Sequence, residues 1–140
     1  MKNSLLIVLA IFAGLITGGL VNSALVALGP LLIAPPAGLD MTTPEGIRSA
    51  MLQLEPRHFL FPWLAHAGGT FIGALVAARL APKRSLLPSL LVGVFFLLGG
   101  ITMVVLVGGP LWFITADLGF AYLPAALLAA RLARSRRGQS

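Results

Sequence analysis

Residues 4–28 read SLLIVLAIFAGLITGGLVNSALVAL, and no charged side chain occurs anywhere from Asn3 to Leu39. A run of about 20 apolar residues, rising about 1.5 Å each, crosses a hydrocarbon core of about 30 Å. This stretch is long enough, and its apolar run exceeds that of a secretory leader, so it is read as a retained membrane span. Three further runs of the same kind follow, at about residues 59–80, 87–107 and 111–132, separated by an outer loop at 29–57 and two short turns. The predicted fold is all-α: a polytopic membrane protein built as a four-helix transmembrane bundle, one domain over residues 1–140.

Composition agrees. Hydrophobic residues make up 58% of the 140 and charged residues 10%, against about 25% charged in soluble domains, so the chain could not cover its surface in water. With no cysteine, disulfides and thiolate chemistry are excluded. The net charge of +6 follows the topology rather than a nucleic-acid footprint. Eight of the ten basic residues (Lys2, Arg79, Lys83, Arg84, Arg131, Arg134, Arg136 and Arg137) fall on one side of a four-span chain, and only Arg48 and Arg57 on the other. The positive-inside rule then predicts both termini cytoplasmic, with Trp63 and Trp112 near the outer boundary. The expected partners are the lipid bilayer and either a second copy or a larger membrane complex. Nucleic acid is not expected.

Two connections are tight. Pro82 and Pro88 bracket a turn at 81–86, and Gly108-Gly109-Pro110 turns the third span into the fourth. The loop at 29–57 is expected to leave the first span at Gly29-Pro30 and run extended through Pro35-Pro36. A short amphipathic helix is predicted at 44–54, with Thr43 as N-cap, Pro44 in its first turn, and Ile47, Ala50, Met51 and Leu54 on one face. It would lie on the membrane surface or cap the bundle. Small residues (Gly14 and Gly18; Gly69, Gly73 and Ala77; Gly93, Gly99 and Gly100) offer close-packing faces, and Pro124 should loosen or kink the last span.

His66 and Asp117 are the histidine and the carboxylate within the predicted spans, away from the arginines at their inner ends. A carboxylate at membrane depth costs about 2.5–3.5 kcal/mol on insertion scales, so its presence needs a reason. His66 lies seven residues inward of Phe59 and Asp117 six inward of Leu111, which puts both roughly 9–11 Å below the outer boundary. Asn22, Ser23, Thr70 and Thr102 complete a polar layer to which every span contributes. Two readings stand: a pocket for a small molecule or proton, with His66 and Asp117 facing each other and Asn22 in reserve, or an interhelical clamp in a structural subunit. Catalysis is the weaker alternative. Ser23 has no surrounding oxyanion motif, although His66 could serve as a base. Glu55, Arg57 and His58 cluster at the outer mouth of the second span. His58 and His66 are about 12 Å apart along a helix and cannot share an ion, so no metal site and no cofactor are expected.

The run HFLFPWLAHA at 58–67, followed by Gly69-Thr70 and Gly73-Ala74, resembles a group of small bacterial four-span membrane proteins. Pro35-Pro36-Ala37-Gly38 before Asp40, and Trp112-Phe113 before Asp117, are similar to the same group. The resemblance implies architecture only and brings no assigned activity; the expected location is a bacterial inner membrane. The small four-span multidrug exporters match poorly, because they rely on a carboxylate in the first span.

Overall fold

The computed structural model describes residues 2–82 and 86–135 and is an all-α bundle. Its elements are α1 (Lys2–Leu32), α2 (Pro44–Ala50), a 3₁₀ turn (Pro56–Phe59), α3 (Leu60–Leu80), α4 (Leu86–Val107), α5 (Leu111–Phe120) and α6 (Leu123–Ser135). Four segments are long and apolar enough to cross a membrane: Lys2–Leu32, Pro56–Leu80, Leu86–Val107 and Leu111–Arg134. Large apolar side chains such as Leu9, Phe12, Ile16, Leu20 and Phe95 point outward, a surface suited to lipid rather than water.

Glycine registers the helices. Gly14 and Gly18 of α1 lie against Gly73 and Gly69 of α3, so closely that a Cβ on Gly14 would stand 2.5 Å from the Gly73 carbonyl oxygen. A Cβ on Gly73 would in turn stand 2.6 Å from the Gly14 carbonyl. The rising number on one helix meets the falling number on the other, so α1 and α3 are antiparallel. Gly93 against Ala126 and Gly100 against Tyr122 give α4 and α6 the same relation. The core between α3, α4 and α6 is built from small residues: Ala74, Ala77, Ala78, Val92, Ala126, Ala129 and Ala133. From Tyr122 in the break through α6, the spacing 122, 126, 129, 133 is the four-three alternation of one buried stripe. The buried hydroxyl of Ser89 ties α4 to α3 by donating to the Ala74 carbonyl at 3.0 Å. Gly99 meets open space and takes no part in this packing, contrary to the expected stripe.

Two expected boundaries are corrected, and one expected interruption is present. α1 does not stop at Leu28: it runs through Pro30 to Leu32, and the Ile33 N–H still donates to the Gly29 carbonyl at 2.8 Å. Proline here forfeits one hydrogen bond near the helix end, and burial of Gly29 against Phe61 holds the turn in place. α2 begins as expected, with Gly46 N–H donating to the Thr43 hydroxyl at 3.1 Å, but ends at Ala50 rather than Leu54. The chain must become extended at Glu55 to enter Pro56, which breaks the helix early. The fourth span is interrupted between α5 and α6, as expected of Pro124, which denies Phe120 its hydrogen-bond donor. Of the charges that set the predicted topology, Lys83, Arg84, Arg136 and Arg137 lie outside the described residues.

Candidate functional site: a capped cavity over a histidine–aspartate pair

The broken span supplies the centre of the site. Asp117 occupies the last turn of α5 and is 3% exposed. Its Oδ1 lies 2.8 Å from Nδ1 of His66 on α3, the interhelical pairing expected from depth. Its Oδ2 accepts a hydrogen bond of 2.8 Å from the Tyr122 hydroxyl. Tyr122 is the chain's only tyrosine and sits in the break. In a continuous helix five residues turn through about 500°, which would aim Tyr122 some 140° away from Asp117. The break turns it back, and its ring then stacks on His66 with centroids 5.7 Å apart and planes 28° apart. Gly100 provides the room, since a Cβ there would stand 2.6 Å from Tyr122 Cζ.

Above the pair lies a cavity of about 270 Å³ whose lining includes both His66 and Asp117. The end of α1, α3, α4 and α5 form its walls, and the connection between α1 and α3 covers it with Met41, Ile47, Met51 and Leu54. Arg48 fastens this cover to the bundle. Its Nε donates to the Leu106 carbonyl at 3.1 Å, and its Nη2 to those of Leu106 at 2.7 Å and Val105 at 3.0 Å. These are carbonyls of the last turn of α4, where a cation is favoured by the helix dipole. Ahead of α2, Asp40 gathers the Thr42 N–H and the hydroxyls of Thr42 and Thr43 at 2.8, 2.6 and 2.5 Å. Those hydrogen bonds, Thr42's first, hold its carboxyl far below the usual carboxylate range.

The other expected site residues separate into groups. Thr70 is fully buried one turn below His66, and its hydroxyl has no hydrogen-bond partner among the described residues. The same holds for Oδ1 of Asn22, which packs against Gly69 instead of reaching Asp117. Ser23 is exposed, because it lies on the face of α1 turned from α3. Thr102 is also exposed and donates to Leu98 of its own helix at 2.8 Å. Neither belongs to the polar layer. At the mouth, Glu55 and Arg57 form an exposed ion pair at 3.0 Å. His58 serves the backbone: Nδ1 accepts from the Glu55 N–H at 3.0 Å, and Nε2 then carries the hydrogen and donates to the Ala34 carbonyl at 3.2 Å. It thereby ties the start of the cover to its end. Trp63 donates from Nε1 to the Ala116 carbonyl at 3.3 Å, bracing α5 against α3 beside the pair.

Sequence reasoning missed Tyr122 and Arg48. Pro124 was the available signal for the first: the kink it implies was legible, but not that the kink would bring Tyr122 onto Asp117. For the second, a lone arginine beside an apolar helix face had no visible partner, because backbone carbonyls leave no mark in a sequence. No protein-family model, curated protein or solved structure matches the chain.

Proposed function

We propose that this is a multi-pass protein of a bacterial inner membrane, with both termini cytoplasmic, that binds a small and mostly apolar molecule without transforming it. The observation that carries the reading is the covered cavity of about 270 Å³ ending on the His66–Asp117 pair. An apolar chamber with a few convergent polar groups has the character of a small-molecule site. Intramembrane ionisable residues also lean towards function rather than packing. The orientation rests on the eight-to-two division of basic residues, and the bacterial source on the resemblance carried by residues 58–67.

A second reading has its own support. Both Asp117 oxygens are already engaged by protein donors, as a packing clamp in an accessory subunit would require. Native mass spectrometry of the mildly solubilised protein separates the two. Binding predicts a non-lipid adduct that is lost when Val104→Trp fills the cavity. An accessory role predicts a co-purifying subunit, and identical adduct patterns in wild type and Val104→Trp would remove the binding reading.

A further inference from the structure

The geometry points to a planar aromatic alcohol, a phenol or its fused-ring equivalent, as the ligand class of the covered cavity, its hydroxyl donating to Nε2 of His66. This deepens the binding reading above and rests on it.

The hydrogen-bond pattern sets the polarity of the site. Tyr122 donates to one oxygen of Asp117, and the other oxygen faces Nδ1 of His66 at 2.8 Å; taken as the carboxylate, Asp117 accepts at both oxygens. The hydrogen on the neutral imidazole is therefore on Nδ1, and Nε2 presents a lone pair. Stacking against Tyr122 fixes the plane of the ring and hence the direction of that lone pair. His66 keeps 22% of its side chain accessible and lines the cavity. The second histidine on the lining, His58, has both nitrogens committed to Glu55 and Ala34. Of the two imidazoles only His66 can receive a ligand, and it asks for a donor.

A hydroxyl answers that request best. A carboxylic acid would bring a second acidic group beside Asp117, and a ketone has no hydrogen to give. The walls select the rest of the molecule. Phe59, Phe61 and Phe113 supply ring edges and faces, and Met41, Met51 and Met103 supply polarisable sulfur, a combination that packs well on a flat π-system. A volume of about 270 Å³ suits one or two rings rather than a whole lipid tail.

The test uses three probes, 2-naphthol, 2-methoxynaphthalene and naphthalene, each measured as retention by the full chain in nanodiscs over empty nanodiscs. Wild type is expected to hold 2-naphthol about five- to tenfold more tightly than 2-methoxynaphthalene, the gain of one net hydrogen bond. In His66→Phe the ratio should fall to near one, and Val104→Trp should exclude all three. The wild-type ratio decides by itself if the His66 variant does not fold. Equal retention of naphthol and its methyl ether, both excluded by Val104→Trp, overturns the ligand class and leaves the binding reading standing. No retention above empty nanodiscs for any probe overturns both.

Discussion

At the scale of single residues, the site depends on Asp117 serving two donors at once. Asp117→Ala strands both the His66 N–H and the Tyr122 hydroxyl, whereas His66→Ala leaves Tyr122 still paired. Interhelical hydrogen bonds in membranes average about 0.6 kcal/mol and reach about 1.7. We therefore expect Asp117→Ala to destabilise the protein more than His66→Ala. A double-mutant cycle read by reversible unfolding in micelles should give a coupling on the order of 1 kcal/mol, and strict additivity would mean that the two side chains do not interact. Asp117→Asn, which keeps hydrogen bonding without the charge, should preserve the fold if the pair only clamps. The neighbouring glycines make a sharper contrast. Gly100→Ala drives a methyl group into the Tyr122 ring and should lower stability by about 1–3 kcal/mol, as overpacking does, whereas Gly99→Ala enters open space and should be neutral or mildly stabilising. The pairing of His66 with Asp117 was legible because depth along two helices is a matter of counting. Tyr122 was not, because its position depends on the local break between α5 and α6, which no periodicity records.

At the scale of elements, the covering segment depends on tertiary contacts to keep its shape. α2 has seven residues, too few to persist without tertiary support, and Arg48 supplies three of its hydrogen bonds to α4. Arg48→Met should raise hydrogen-exchange rates across residues 44–51 by about tenfold or more while leaving α3 and α4 protected; unchanged rates would show that apolar contacts alone hold the cover. Acid should not release it. The Asp40 carboxyl is held low, so its contribution is complete above the ordinary Asp range, which mild acid does not reach, and is lost progressively as pH falls from there through the depressed value. The spans themselves were easy to read, since an uninterrupted apolar run reports directly on membrane depth. Their ends were not: α1 continues through Pro30 because Phe61, from a distant part of the sequence, packs on Gly29.

At the scale of the whole molecule, the charge asymmetry makes a claim that can be checked in cells. The chain has no cysteine, so single cysteines report without background. A cysteine at Glu45 should react with an impermeant thiol reagent in spheroplasts, and one at Ser140, which lies outside the described residues, should react only after lysis. The reverse pattern would invert the assigned orientation, although the bundle itself would stand. The close contact of α1 with α3 also bears on how the chain is made. Gly73 follows Gly14 by 59 residues, so at synthesis rates of roughly 5–20 residues per second α1 waits about 3–12 s before its partner emerges. Throughout that interval the nascent first helix shows a bare glycine face to every other small-residue helix near the insertion machinery. Its fidelity is then a contest of timing, won because the rightful partner is tethered to the same ribosome.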